Sequence, residues 1–162
     1  MKAKNKTKEL YLILDDIRSN FNVGSIFRIA DCVGIKKIFL GGITPAPLDR
    51  FGRINNEIKK VALGADETVS WEKAPSVSLL VNKLKKDGFE IVSLEQSEDS
   101  TDYKKFKLKK KTALIVGNEV AGVKKSLLKL SDHILEIPMM GDKESLNVAV
   151  ATGITVFRIL NV

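Results

Sequence analysis

The residues best suited to chemistry lie in the stretch 137–151, where a short apolar strand, a glycine loop and a predicted helix follow one another. The apolar residues from position 146 onward are Leu146, Ala149, Val150, Ile154, Phe157 and Leu160. Their spacing is that of a core-facing helix, and Ser145 precedes them in the position of an N-cap, so the pattern predicts a helix over 145–160. Ser145 and Asn147 would then stand beside the free amides of a helix N-terminus, which can hold a ligand carboxylate or a reacting oxygen. The alternative is that Ser145 only caps the helix.

Two further polar segments follow predicted strands. The segment N-V-G-S-I-F-R at 22–28 opens a helix, and the segment G-N-E-V-A-G-V at 117–123 forms a glycine turn. Because ligands of parallel sheets bind beyond the carboxyl ends of the strands, the glycine loops around 117–122 and 141 predict a pocket in the C-terminal half. The sequence has no G-x-G-x-x-G after its first strand and no G-x-x-x-x-G-K-[ST] loop, so the usual dinucleotide and phosphate-binding motifs are excluded.

The inventory of reactive side chains restricts the chemistry. The chain has one Cys, Cys32, which excludes an internal disulfide and a cysteine zinc cluster. It has one His, His133, which argues against a Ser-His-Asp triad or a His-rich metal site. His133 enters a predicted strand and is expected to be structural, and Cys32 lies on an apolar helical stretch and is expected to be a small core residue. No metal is expected, and any chemistry must use Arg, Glu, Ser and Asn.

These residues are positioned by alternating strands and helices. Strands are predicted over 10–14, 37–40, 89–94, 113–116 and 134–137, and helices over 23–33, 55–63, 77–86, 123–130 and 145–160. The alternation predicts an α/β fold with a mainly parallel sheet. The length of 162 residues fits one domain over 1–162, of which residues 1–8 form a basic segment expected to be flexible.

The composition points to a soluble protein that binds polyanions. Hydrophobic residues make up 44% and charged residues 29%, while 27 Lys+Arg against 20 Asp+Glu give a net charge of +7, which favours nucleic acid as a partner. The basic run at 104–111 is either a solvated loop or an RNA-facing patch. No signal peptide is apparent, and the longest apolar run, at 148–157, is too short to cross a bilayer. We therefore expect a cytoplasmic protein without a membrane partner.

Taken together and in this order, the segments at 22–28, 117–123 and 137–151 resemble the three motifs of the SpoU family of RNA ribose 2′-O-methyltransferases, within the SPOUT superfamily. The resemblance runs from Leu10 to Leu160. It implies a SPOUT-type α/β knot, in which helices flank a parallel sheet and the C-terminal segment forms a trefoil knot, an exception to the usual avoidance of knots. It also implies a homodimer that binds S-adenosylmethionine in the knot. The residues expected to contact this cofactor are Leu94, Gly117, Ile137, Met139 and Leu146.

The resemblance further implies transfer of a methyl group to a ribose 2′-hydroxyl of tRNA or rRNA. The residues it places at the active site are Asn22, Arg28, Glu119, Ser145 and Asn147, with Arg28 assigned to activating the hydroxyl. Because a guanidinium is essentially always protonated, stabilising the developing oxyanion or clamping a phosphate suits Arg28 better than general-base catalysis. For Glu119, a structural role in binding a backbone amide is the alternative.

RNA phosphates would be held by basic residues. The candidates are Arg18, Arg50, Arg53, Lys59 and Lys60, and their alternative role is a solvated charged surface. Two other functions compete with ribose methylation. One is a non-catalytic RNA-binding or ribosome-assembly factor with the same fold, and the other is methylation of a base.

Overall fold

The computed structural model describes residues 8–162 and contains a seven-stranded sheet in which every pair of neighbouring strands is parallel. The strands are β1 (Glu9–Asp15), β2 (Lys37–Gly41), β3 (Trp71–Ala74), β4 (Glu90–Leu94), β5 (Thr101–Asp102), β6 (Lys111–Val116) and β7 (His133–Glu136). Their order across the sheet is β3-β2-β1-β6-β4-β7-β5. The predicted α/β fold with a parallel sheet is therefore confirmed, and the basic segment at 1–8 lies outside the described residues except for its last position.

Helices cover both faces of the sheet. Those within residues 8–162 are α1 (Asn20–Val33), α2 (Asn56–Ala62), α3 (Ala65–Thr68), α4 (Val77–Lys86), α5 (Lys125–Leu130) and α6 (Val148–Leu160), with one 3₁₀ turn at Tyr103–Lys105. On β1, Leu12 and Leu14 pack into a core shared with α1, α2 and α6, whereas Ile13 packs into a core shared with α4 and α5. Because successive side chains of β1 enter the two cores in turn, both faces of the strand are buried, which explains why β1 has no polar face.

Helix α1 carries the first polar segment. The Ser19 hydroxyl caps it by accepting a hydrogen bond of 3.2 Å from the backbone N–H of Asn22, so Asn22 lies in the first turn rather than in a preceding loop. Gly24 is required by the packing of α1 on α2, because a Cβ at this position would lie 2.8 Å from Cβ of Val61 and 2.9 Å from the carbonyl oxygen of Ile58. The glycine of the 22–28 segment therefore has a structural explanation.

The predicted start of the last helix was wrong. Helix α6 begins at Val148 with Asn147 as its N-cap, and Ser145 and Leu146 lie in the preceding loop. The predicted core face was right at Ala149 and wrong at Val150, Ile154 and Phe157, which are exposed. The positions facing the core are Ala149, Thr152, Thr155, Val156 and Ile159. Apolar spacing reports a face that avoids water, and it does not say whether the same chain covers that face.

Other expectations had mixed outcomes. The strands and helices predicted elsewhere occur within a few residues of their predicted bounds, but β3, β5 and α3 were not predicted. Cys32 is exposed on α1, so its assignment to the core was wrong. His133 begins β7 and contacts the buried Glu90 carboxylate at 2.9 Å, as expected of a structural residue. The trefoil knot stays a prediction.

Candidate active site

A cavity of about 540 Å³ opens at the carboxyl ends of β4, β6 and β7. Its size lies within the range of about 300–1,000 Å³ that is typical of small-molecule sites. The lining combines strand ends, the 117–122 turn and the loop that precedes α6. This is the edge at which open parallel sheets bind ligands, because successive strands end there on the same side.

All five residues predicted to contact the cofactor line this one cavity. They are Leu94, Gly117, Ile137, Met139 and Leu146. Val116 and Leu128 add apolar surface, which suits a slot for an aromatic ring, while the strand ends supply backbone donors and acceptors. An elongated ligand with an adenine ring and a polar amino-acid end fits this combination of surfaces.

The 117–122 turn is closed by its own backbone. Asn118 and Gly122 exchange two hydrogen bonds of 3.1 and 2.9 Å, and the Asn118 side chain donates to the carbonyl oxygen of Asp16 at 2.8 Å. A Cβ on Gly117 would lie 2.4 Å from backbone atoms of Gly122 and Val123, so only glycine fits this closure. The turn is thus a fixed wall of the cavity, tied to the end of β1.

Glu119 projects from this turn to the start of α1. One carboxylate oxygen accepts hydrogen bonds from the backbone N–H groups of Arg18 and Ser19 at 3.1 and 3.0 Å and from the Asn22 side-chain amide at 3.1 Å. The second oxygen accepts from the Arg18 N–H at 3.0 Å. Loss of water around the carboxylate alone would raise the pKa of Glu119, but these hydrogen bonds outweigh it and lower the pKa below its ordinary value.

The lowered pKa of Glu119 predicts a specific acid sensitivity. Because the folded pKa lies below the unfolded one, the ionised carboxylate stabilises the fold above its ordinary pKa of 4.5, and this contribution is lost as the pH falls through the folded value. We expect the free energy of unfolding to fall less steeply with acidification in Glu119→Gln than in the wild type, measured by urea titration from neutral pH downward. Glu98→Gln controls for net charge, because Glu98 is an exposed glutamate without a hydrogen bond in the described part of the chain. Equal slopes in Glu119→Gln and the wild type would contradict the expectation.

Asn22 and Asn147 join the turn to helix α6. The buried Asn22 donates to Glu119 and accepts a hydrogen bond of 3.0 Å from the side-chain amide of Asn147. The side-chain oxygen of Asn147 in turn accepts from the backbone N–H groups of Ala149 and Val150 at 2.9 and 3.2 Å. Three of the five predicted catalytic residues therefore form one hydrogen-bonded chain.

The corrected cap of α6 can be tested by stability. Asn147→Ala should lower the free energy of unfolding by about 1 kcal/mol, because two amides of the first helical turn lose their acceptor. Ser145→Ala should lower it by no more than about 0.5 kcal/mol, the usual range for a surface change, because Ser145 caps nothing. Chemical denaturation of both variants measures the two free energies of unfolding. A larger loss in Ser145→Ala than in Asn147→Ala would identify Ser145 as the N-cap, as first predicted.

The other two predicted catalytic residues occupy different positions. Ser145 lines the cavity and is exposed within it, close in sequence to Leu146. Arg28 is exposed on α1 and does not line the cavity of its own chain. It directly precedes Ile29, whose side chain approaches Gly153 of α6, so Arg28 lies beside the seam between α1 and α6.

The predicted RNA-binding residues fall into three groups. The backbone N–H of Arg18 donates a hydrogen bond to Glu119, a residue of the cavity lining, and the Arg18 side chain is exposed. Arg50 and Arg53 flank Phe51 in the loop after β2. Lys59 forms an ion pair with Glu67, and Lys60 is exposed on α2.

Sequence reasoning missed several polar residues of the cavity. Glu95 and Gln96 follow β4 and line it, and Glu95 accepts a hydrogen bond of 2.7 Å from the backbone N–H of Val123. Gln96 donates at 2.8 Å to the carbonyl oxygen of Glu144, which ties the β4 end to the loop before α6. The rule that ligands bind at carboxyl ends of parallel strands points to both residues, but no local motif marks them.

Within residues 8–162, neither a metal-binding cluster nor a helix fit to cross a membrane is found. No group of three or more His, Cys, Asp and Glu side chains is arranged to hold a metal ion. No helix in this range has the length and apolarity that a membrane crossing requires.

The fold and the site define an α/β protein with a ligand cavity at the carboxyl edge of a parallel sheet. The chain belongs to the SpoU rRNA Methylase family, whose sequence profile matches residues 9–157. The resemblance of the three segments at 22–28, 117–123 and 137–151 is therefore confirmed at the level of the family.

Curated relatives and solved structures agree with this assignment. The chain is 32% identical over 151 residues to the 23S rRNA (guanosine-2′-O-)-methyltransferase RlmB of Pseudomonas aeruginosa and 34% identical over 147 residues to RlmB of Escherichia coli K12, covering 93% and 91% of this chain. It spans 58% of the length of each relative.

Among solved structures, the TrmH/SpoU tRNA modifying enzyme of A. aeolicus superposes with a TM-score of 0.83 at 29% identity, covering 96% of this chain and 75% of that chain. The AdoMet-bound rRNA methyltransferase of Sinorhizobium meliloti superposes with a TM-score of 0.85 at 29% identity, covering 94% of this chain and 56% of that chain. The fold is thus that of SpoU methyltransferases.

Proposed function

We propose that this protein transfers a methyl group from S-adenosylmethionine to a ribose 2′-hydroxyl of RNA. The observation that carries the proposal is the convergence of all five predicted cofactor contacts with Glu119 and Ser145 in one cavity. The names of the curated relatives support rRNA as the substrate class, while the A. aeolicus neighbour is a tRNA modifying enzyme, so rRNA and tRNA are both candidate substrates. Binding to either RNA is consistent with the net charge of +7. Either substrate also fits the proposed cytoplasmic location.

Residues of the cavity would bind and align the cofactor, which supplies an activated methyl group on a sulfonium. The backbone around Leu94, Gly117, Ile137 and Met139 offers hydrogen-bonding groups, and Leu146 adds an apolar wall that excludes water. Since a sulfonium is already a good leaving group, the protein contributes mainly alignment of the two reactants.

The hydrogen-bonded side chains beside the cavity would orient the ribose. Ser145 and Asn147 stand at the cavity edge and the start of α6, and the hydrogen bond from Asn147 to Asn22 fixes both amides. Glu119 is a positioning residue, because its lowered pKa makes it a weak proton acceptor and its oxygens already accept four hydrogen bonds. Arg28 would stabilise the negative charge that develops on the ribose oxygen.

A homodimer is part of the proposal. Val150, Ile154 and Phe157 form an apolar stripe on α6, exposed by 50%, 38% and 42%. Their i, i+4, i+7 spacing on one helix face suits burial against a second copy. Arg28 lies beside the seam of α1 and α6, so such a dimer would place it at or near the interface, where it can reach a cavity.

The test is methyl transfer from radiolabelled S-adenosylmethionine to separated tRNA and rRNA from a host that lacks this protein. We expect label in one RNA pool, in alkali-resistant dinucleotides that identify a ribose methyl group. Cofactor binding is measured separately by calorimetry on the protein alone. Label on a base would show that the protein is a base methyltransferase rather than a ribose methyltransferase. RNA binding without cofactor binding would favour a non-catalytic RNA-binding factor.

A further inference from the structure

The loop between β2 and α2 presents an aromatic ring to solvent between two cations. Phe51 is 68% exposed at the tip of this loop. The guanidinium carbons of Arg50 and Arg53 lie 4.7 and 5.2 Å from the centroid of its ring. An isolated exposed phenylalanine is ordinary, but one flanked by two guanidiniums combines the stacking surface and the positive charge that single-stranded nucleic acid requires.

The loop tip is held in one conformation by Asp49. One carboxylate oxygen of Asp49 accepts hydrogen bonds from the backbone N–H groups of Phe51 and Arg53 at 2.8 and 2.9 Å, and the other binds the Arg53 side chain at 2.6 Å. Leu48 and Ile54 form an antiparallel bridge below the tip. The ring is thus displayed by a preformed turn, which lowers the ordering cost of binding.

The two arginines are not equivalent. Arg53 is tied to Asp49, whereas Arg50 forms no ion pair within residues 8–162. A base that stacks on Phe51 would displace Arg50 from the ring, and Arg50 would then be free to bind the adjacent phosphate. Arg53 would stay at the ring and retain its contact with Asp49.

An open groove of about 790 Å³ continues from the tip toward the sheet. Its walls include Ile43, Leu48 and Ile54 as apolar surface and Arg50, Arg53 and Lys73 as cations. The groove also includes the carboxylate of Asp49, so its lining combines apolar side chains with three cations and one anion. This excess of positive charge beside apolar surface suits the phosphates and bases of an unpaired strand.

The loop is attached directly to the start of α1. Asp16 accepts a hydrogen bond of 3.0 Å from the backbone N–H of Ile43, and the side chain of Asn55 donates at 2.9 Å to that of Asn20. Across the sheet, β2 lies two strands from β6, a separation of about 10 Å at the usual strand spacing. The loop therefore leaves the sheet at the same carboxyl edge at which the cavity opens.

From these contacts we infer that Phe51 is a stacking platform for an unpaired base of the RNA substrate, with Arg50 holding the adjacent phosphate and Arg53 adding positive charge beside the ring. The inference rests on the proposed function for the identity of the polymer. It assigns specificity for single-stranded over double-stranded RNA to this loop, because a base within a helix has both of its faces already stacked.

The test measures binding of single-stranded oligoadenylate labelled with 2-aminopurine to the full chain. Phe51→Ala should weaken binding by about 5- to 100-fold and abolish the quenching of the fluorescent base, whereas Phe51→Trp should keep both. The salt dependence of binding should be unchanged in Phe51→Ala, while Arg50→Ala should lower its slope by about 0.7. Leu79→Ala, which removes a side chain 71% exposed on α4, is the matched control and should bind as the wild type does.

Wild-type affinity in Phe51→Ala, rescue by Phe51→Leu as complete as by Phe51→Trp, or a change in the oligomeric state alone would overturn the inference. Cofactor binding and methyl transfer are followed in the same variants. Methyl transfer to RNA that is insensitive to Phe51→Ala at low RNA concentration would overturn the platform and leave the proposed function standing. Phe51-dependent RNA binding without any methyl transfer would do the reverse.

Discussion

Arg28→Ala is expected to lower the rate of methyl transfer by about 100- to 1,000-fold, the usual effect of removing one group that stabilises a developing oxyanion. The affinity for S-adenosylmethionine should stay within about twofold, because this residue lies outside the cavity of its own chain. Single-turnover transfer of a labelled methyl group measures the first quantity and calorimetry the second. A variant that loses rate and cofactor affinity together would assign Arg28 to the fold of the site rather than to the reaction.

The chemistry of the guanidinium is tested by two companion variants. Arg28→Lys keeps the charge but loses the planar fork, so its rate should lie between those of the wild type and Arg28→Ala. Lys83→Ala removes one positive charge from an exposed position on α4 and controls for a general weakening of RNA binding. If Lys83→Ala lost as much activity as Arg28→Ala, net charge would explain the result.

Gly117→Ala is expected to reduce the affinity for S-adenosylmethionine by at least about 100-fold. The added methyl group would meet backbone atoms of Gly122 and Val123 at 2.4 Å, and because backbone cannot rotate away, the turn must open. Opening would move the wall of the cavity and release Asn118 from its hydrogen bonds with Gly122. Calorimetric titration with the cofactor measures the effect.

The control for this substitution lies in the neighbouring loop. A methyl group at Gly141 meets no atom within 4 Å, so Gly141→Ala should bind the cofactor within about twofold of the wild type. Equal affinity losses at positions 117 and 141 would mean that chain flexibility, rather than the closed turn, determines binding.

Arg28→Ala and Gly117→Ala together can show whether Arg28 acts on the cavity of its own chain or on that of a partner subunit. If Arg28 acts on the cavity of its partner, mixing subunits of Arg28→Ala and Gly117→Ala should restore transfer, since roughly half of the reassociated dimers would be mixed and each would contain one complete site. If it acts within its own chain, the mixture should stay inactive. Activity of the mixture is compared with that of each variant alone.

Much of the site could be predicted from the sequence because its parts occur at fixed places in the chain. Four of the five predicted cofactor contacts (Leu94, Gly117, Ile137 and Met139) lie in or near strand ends, and parallel strands bring such ends together whatever the intervening helices are. The contacts of Glu119 could not be predicted, because Arg18 lies 101 positions away and no local pattern reports that separation.

Where prediction failed, local patterns had more than one physical meaning. Ser145 and Asn147 are both good cap residues, and the apolar Leu146 extended the helical spacing to a start before Val148. The strand Trp71–Ala74 was missed because Glu72 and Lys73 are charged and exposed, as an edge strand permits. The stripe of Val150, Ile154 and Phe157 was assigned to the core because apolar residues at helical spacing look the same in a sequence whether their face is buried or exposed.

The position of β6 has a consequence for how the protein acquires its activity during synthesis. This strand lies between β1 and β4, both of which leave the ribosome before it, and it pairs Glu9 with Lys111. Until β6 inserts, β1 and β4 each present an open apolar edge at which the chain can aggregate or be bound by chaperones. Such long-range pairing forms slowly. During refolding, most of the helical signal should therefore return before cofactor binding does.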